Sequence, residues 1–254
     1  MITIISPSKT LDFETKVQTN KYSEPDFLKY SEILIDELRK FKPKEIAKLM
    51  SISNDLANLN FERFAKWETP FNTDNAKQAL LAFKGQVYNA LDANTLSESD
   101  LKFAQDRLRI LSGLYGILRP LDLMQPYRLE MGTSLDNPKG KNLYDFWGNK
   151  ITESVNKELG KHKNKVLINL ASNEYYKALN HKEIKGDIIT PVFKETKGDK
   201  YKVIAVYAKT ARGLMSRFII KNSIDKPEDI KAFDLNGYMF NQQLSGEKQW
   251  VFVR

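Results

Sequence analysis

KVLINLASNEYYKAL, residues 165–179, places two different periodicities side by side. The apolar run from Val166 to Leu170 reads as a short buried strand, and Ser172 reads as the N-cap of a helix that runs to about residue 179. A strand that feeds directly into a helix is the repeating step of an α/β fold. A helical pattern over about 144–159 precedes the strand, so helix, strand and helix follow one another here.

Working outward, MITIIS (1–6) reads as a second buried strand, and the turn-like SPSKTLDF (6–13) puts Lys9 on a loop leaving it. A capping box of Ser23 and Asp26 predicts a helix whose apolar face carries Phe27, Ser31, Leu34, Ile35, Leu38 and Phe41. Shorter helices are expected over 43–50, over 54–66 with Ser53 as cap, and over 75–92 with Gly85 as a candidate break. Ser97 and Asp100 open a helix whose stripe of Leu101, Ala104, Leu108 and Leu111 runs to Ser112-Gly113. Leu121–Met131 is expected to be extended, with Asp122, Arg128 and Glu130 on one face. DIITPVFKE (187–195) and YKVIAVYAK (201–209) read as a hairpin turning at TKGDK, Thr210 as the cap of a helix over 211–222, and KQWVFVR (248–254) as a last strand. No internal repeat or linker interrupts this order. We therefore expect one mixed α/β domain over 1–254, with a central mixed sheet flanked by helices.

Composition narrows the chemistry. The chain has no cysteine, which removes disulfides, thiolate nucleophiles and Cys-ligated zinc together. Its two histidines, His162 and His181, lie in lysine-rich stretches that read as surface loops, and no Glu-x-x-His occurs, so the helical di-iron ligand set is missing. No cofactor and no tightly bound metal are expected. No run approaches the roughly 20 apolar residues of a membrane span, and the first residues lack a signal peptide's pattern, so the expected location is the cytoplasm.

The net charge of +8 favours polyanions only in a general way. The arginines say more. Six of the nine, Arg107, Arg109, Arg119, Arg128, Arg212 and Arg217, fall within 107–128 and 212–217. A guanidinium fork suits phosphate in a way that the lysine point charge does not. On the 211–222 helix, Ala211, Leu214, Met215, Phe218 and Ile219 form the apolar side; Arg212, Gly213, Ser216, Arg217 and Lys221 lie opposite, with Gly213 as bare backbone and Lys209 near the N-terminus. Between 201 and 222 there are five basic residues and no acidic one. In the other window, LSGLYG (111–116) resembles the glycine hairpin of a helix-hairpin-helix, although its glycines are spaced G-x-x-G rather than G-x-G and Pro120 cuts short any second helix. The expected phosphate contacts are Lys9, Gly113, Gly116, Arg119, Arg128, Lys209, Arg212, Gly213, Arg217 and Lys221, facing DNA without reading its sequence. The alternative is an enzyme acting on a phosphorylated or nucleotide substrate, with Lys9 and the arginines as anion clamps and Asp122, Glu130 or a tyrosine as acid and base. A third reading, a partner-binding regulator of iron-using enzymes, predicts an exposed apolar patch.

Six blocks carry a resemblance that spans nearly the whole chain: SPSKTLDF (6–13), FKGQVYNAL (83–91), LSGLYGILRPLDLMQPYRLEMG (111–132), LYDFWG (143–148), INLASNEYYKA (168–178) and YAKTARGLMSRFII (207–220). With these the sequence closely resembles the bacterial YaaA family of peroxide-stress proteins. The resemblance implies protection against hydrogen peroxide linked to unincorporated iron, a compact α/β fold with a basic cleft, and a helix-hairpin-helix-like DNA-binding element. Carried onto this chain, the hairpin would be about Leu111–Leu118 and the cleft cations Lys9, Arg119, Arg128, Lys209, Arg212 and Arg217. With no thiol and no histidine-rich ligand set, DNA shielding is a more natural chemistry for it than thiol sensing or iron storage.

Overall fold

Strands that are largely apolar and buried at every position need cover on both faces, and that requirement places the N-terminus of this chain at the centre of the molecule. The computed structural model describes residues 1–198 and 200–254. In chain order the strands are β1 (Ile2–Ile5), β2 (Thr10–Leu11), β3 (Lys77–Gln78), β4 (Phe83–Lys84), β5 (Leu108–Ser112), β6 (Gly116–Leu118), β7 (Leu123–Met124), β8 (Val166–Asn169), β9 (Asp187–Lys197), β10 (Lys200–Lys202), β11 (Met239–Phe240) and β12 (Gln249–Val253). The main sheet runs β11-β12-β9-β8-β1-β5-β6, with β10 paired to β9. Its five inner strands, β12, β9, β8, β1 and β5, are all parallel, and β6, β10 and β11 add antiparallel pairs at the margins. All residues of β1, β5 and β8 are buried. This is the mixed α/β architecture expected from the sequence.

The helices are α1 (Leu28–Leu38), α2 (Pro43–Met50), α3 (Asn54–Lys66), α4 (Ala79–Ala82), α5 (Gln86–Leu91), α6 (Glu98–Arg107), α7 (Leu143–Trp147), α8 (Lys150–Gly160), α9 (Asn173–Tyr176) and α10 (Ala205–Lys221). α1 buries Ser31, Leu34, Ile35 and Leu38, four of the six residues of the predicted face. Its predicted capping box does not form, because the Ser23 hydroxyl donates to Asp122 (2.6 Å). At α6 the box does form: the Asp100 N–H donates to Ser97 Oγ and the Ser97 N–H to Asp100 Oδ2 (2.8 Å).

Four predicted elements are otherwise. The helix expected to run from Ser97 to Ser112-Gly113 ends at Arg107, and Leu108 begins β5. The 75–92 helix is divided among β3, α4, β4 and α5, with Gly85 at φ 130° just ahead of α5. The helix predicted over 144–159 is interrupted at Gly148 (φ 49°). The strand predicted over 201–209 stops at Lys202, and α10 begins at Ala205, so Thr210 lies inside the helix and its hydroxyl donates to Val206 O. Of the predicted TKGDK turn, Gly198 takes a positive φ of 59°, and Asp199 lies outside the described residues.

Candidate functional site

β1 and β8 are parallel neighbours, but the sheet grows from β1 to β5 on one side and through β8, β9 and β12 on the other. Where strand order reverses in this way, the loops leaving two adjacent strands part and open a crevice at their carboxyl ends. The two loops here are Ser6–Lys9 and Leu170–Ser172. They are stitched together at their base: the Ser172 N–H donates to Ser6 Oγ (2.8 Å), the Ser6 hydroxyl donates to Ser172 Oγ (3.2 Å), and the Tyr88 hydroxyl donates to Ser6 O (2.9 Å). Gly85, just ahead of α5, lets that helix come close to the first loop, since a Cβ there would lie 2.7 Å from Ser8 Oγ. Above the stitch is a cavity of about 430 Å³, walled by Val87, Tyr88, Leu170 and Tyr175, with Lys9, Lys209 and Arg212 also lining it. A smaller pocket of about 70 Å³ adjoins it, shares Lys9, Glu174 and Tyr175, and adds Arg128 and Glu130. Lys9, Arg128, Lys209, Arg212 and Glu130 are therefore brought together from three distant parts of the sequence.

The cavity is short of negative charge. Lys9, Lys209 and Arg212 line it against a single carboxylate, Glu174, which already accepts the Gly132 N–H (2.9 Å). Lys9 reaches across to Glu130 (2.6 Å), which also takes Arg128 Nη2 (3.1 Å). Among the described residues, Arg212 and Lys209 have no ion-pair partner and their side chains make no hydrogen bond. Burial pulls the Arg212 guanidinium below the usual arginine range, the direction expected of a cation set in the protein without compensation. Burial also pushes the Tyr88 and Tyr175 phenols up, so both are neutral at physiological pH. This arrangement can attract an anion and pack an apolar body behind it. Among the described residues no group of three or more His, Asp or Glu side chains is placed to hold a metal ion.

Other candidates have structural employment. Residues 111–118 are not a helix-hairpin-helix: β5 and β6 form an antiparallel hairpin, Ser112 opposite Gly116, because a run buried at every position pairs with the sheet rather than coiling on its surface. Gly113 and Gly116 are buried, and a Cβ would lie 2.3 Å from Leu129 O at the first and 2.8 Å from the Trp147 ring at the second. Both glycines serve packing, and neither offers an N–H to a phosphate. Gly213 is likewise buried, and a Cβ there would lie 2.1 Å from Val87 O, so its bare backbone is filled by α5. Arg217 donates to Leu91 O and Asp92 O and thereby caps α5, while Lys221 pairs with Asp100 (2.8 Å). Arg119 is taken up by Asp122, Asp26 and Glu24 O. Asp122 itself is 1% exposed and turned toward Ser23 and Arg119, which removes it as an acid or base for a ligand in the crevice. Arg107 pairs with Asp225, and buried Arg109 pairs with Glu158 (2.5 Å).

Ser6, Tyr88 and Tyr175 escape a reading of the sequence, because their types carry no signal until the strand order juxtaposes them. The pairing of α2 with α3 escapes it too. These helices pack together across Ser51-Ile52-Ser53, with Ser51 in the left-handed region (φ 51°) and Ser53 capping α3. They form an αα-hairpin over 43–66. Lys44 and Lys48 stand one turn apart on α2, both exposed.

The family model "Peroxide stress protein YaaA" matches residues 1–244. A UPF0246 protein of Hahella chejuensis is 54% identical over 254 residues, covering all of this chain and 99% of its own. UPF0246 proteins of Cellvibrio japonicus and Aliivibrio fischeri (strain MJ11) are 52% and 54% identical, each with 98% of its length covered. A match over nearly the full chain, joined to relatives of nearly equal length at more than half identity, makes this protein a member of the YaaA family of peroxide stress proteins.

Proposed function

We propose that the protein serves in peroxide stress by binding DNA through phosphate contacts, largely without regard to sequence, and that its cover limits iron- and peroxide-driven damage to the strand. The observation that carries this reading is the set of cations at the β1/β8 crevice, of which Lys209 and Arg212 have no acidic partner among the described residues. An uncompensated, partly buried guanidinium is costly, and a phosphate relieves that cost. The α2–α3 hairpin supports the same reading: Lys44 and Lys48 lie on one exposed face of α2, and lysines are among the side chains that contact DNA phosphates. The test is affinity against salt. Contact with about five phosphates gives a slope of log affinity on log salt of roughly −4 to −5, and Lys209→Ala with Arg212→Ala flattens it by about two. Affinity unmoved between low and moderate salt defeats the proposal. Nicking of plasmid by ferrous iron and peroxide reports the protective role, which the same double variant should lose.

A second reading, an enzyme acting on a phosphorylated or nucleotide substrate, is favoured by one specific feature. The cavity of about 430 Å³ has the volume of a small-ligand site, and a duplex cannot enter it. Glu130, held between Lys9 and Arg128, would be the acid or base of such an enzyme. Turnover of phosphate esters that Glu130→Gln abolishes is the result that would establish it.

A further inference from the structure

We infer that the cavity between the loops leaving β1 and β8 receives a single nucleoside monophosphate unit, its phosphate against Arg212, Lys209 and Lys9 and its base against Tyr88, Tyr175, Val87 and Leu170. The inference rests on the proposed phosphate-binding role of the crevice and specifies what goes inside it. Four observations carry it. The cavity is two-natured: three cations meet one already engaged carboxylate, and Val87, Tyr88, Leu170 and Tyr175 add an apolar and aromatic wall beside the polar Ser6, Ser8, Gln86 and Ser172. An anion with an apolar planar body matches that division, and an anion alone does not. The volume, about 430 Å³, falls in the range of pockets that enclose a ligand of this class, whereas inorganic phosphate would leave most of it unfilled. The wall is preformed, because Tyr88 is fixed by its hydrogen bond to Ser6 O and the two loops are locked through Ser6 and Ser172. Arg212, which lines the cavity, has no side-chain hydrogen-bond or ion-pair partner among the described residues.

The unit has two sources of the same chemistry, a free nucleotide or one nucleotide swung out of a bound duplex. Swinging a nucleotide out is cheapest at a mismatch, where less pairing and stacking is lost. The experiment titrates the full chain with dTMP, dAMP, thymidine and inorganic phosphate by calorimetry, and with matched duplex and the same duplex carrying one mismatch by anisotropy. Saturable one-to-one binding of a monophosphate, at least tenfold tighter than either thymidine or inorganic phosphate, is expected. Arg212→Gln should weaken it at least tenfold with an unchanged Tm. Val87→Phe, which fills the cavity from its wall and leaves every cation in place, should weaken it as much. A tenfold preference for the mismatched duplex, abolished by Val87→Phe, assigns the unit to DNA; monophosphate binding without that preference assigns it to free nucleotide. Monophosphates that bind no better than inorganic phosphate, or as well to Val87→Phe as to the unaltered protein, overturn the inference, even where matched duplex still binds. Loss of duplex binding with monophosphate binding intact defeats the DNA reading instead.

Discussion

Lys9 Nζ lies 2.6 Å from Glu130 Oε2, and Arg128 Nη2 approaches the other oxygen of the same carboxylate at 3.1 Å. Glu130 thus stands between two cations contributed by different segments, in the smaller pocket that shares Lys9 with the large cavity. A phosphate arriving at Lys9 competes with Glu130. Glu130→Gln should therefore raise duplex affinity several-fold at low salt, with the gain fading as salt screens the charges. Lys9 is 60% exposed, so the ion pair contributes little to folding, on the order of 1 kcal/mol or less, and Tm should barely move. Anisotropy titrations at two salt concentrations check this; unchanged or lower affinity at low salt contradicts the arrangement.

Arg212 and Arg217 are five residues apart on one helix and do different things. Arg212 lines the cavity without a partner among the described residues, while Arg217 donates to Leu91 O and Asp92 O at the end of α5. Arg212→Ala should weaken DNA binding and leave Tm nearly unchanged. Arg217→Ala should lower stability by about 1–2 kcal/mol, because it strips two carbonyls of their donor, and should leave affinity near that of the unaltered protein. Chemical denaturation and binding, measured on both variants, separate the roles.

How far this was legible in the sequence depends on the distance over which each signal acts. Local signals survived: the apolar runs of β1 and β8, the Ser97–Asp100 box, the Ser53 cap and the loop position of Lys9 are all read from a few adjacent residues. Leu101, Ala104, Leu108 and Leu111 share a helical spacing, yet Leu108 and Leu111 belong to a strand. A short run that is buried throughout fits either period, and pairing with β1 decides the matter. The face of α10 was half legible. Its cations were found, but the carboxylate of Asp100 and the carbonyls of α5 that neutralise Lys221 and Arg217 come from about 120 residues away, where no spacing rule reaches. The crevice itself exists only because strand order reverses between β1 and β8, a property of topology rather than of any segment.

Gly213 offers a packing test. α10 and α5 approach so closely there that a methyl group would sit 2.1 Å from Val87 O and 2.8 Å from Ala90 Cβ. Gly213→Ala must push the helices apart, at a cost of about 1–3 kcal/mol, although alanine is the better helix former. Because Val87 walls the cavity, the same displacement should weaken ligand binding as well as lower Tm. A variant as stable as the unaltered protein would mean that the two helices are not in contact at this point.

Asp100 gives the fold a predictable acid response. Its hydrogen bond from Lys221 comes first, and with those from Ser97 it holds the carboxyl down to about 2, below the ordinary 3.8. A carboxylate whose folded value is depressed contributes stability that is complete above the unfolded value and vanishes as pH falls through the folded one. The contribution is therefore present at neutral pH and lost between about pH 4 and pH 2. Lys221→Met should lower stability by about 1 kcal/mol at pH 7, a modest figure because water screens the lysine, which is 43% exposed. The difference between variant and unaltered protein should then narrow below pH 4 as protonation of Asp100 removes the same interaction from both. Denaturant midpoints measured from pH 7 down to pH 2 would show this convergence, and parallel curves over that range would remove Lys221 as the cause of the depressed carboxyl.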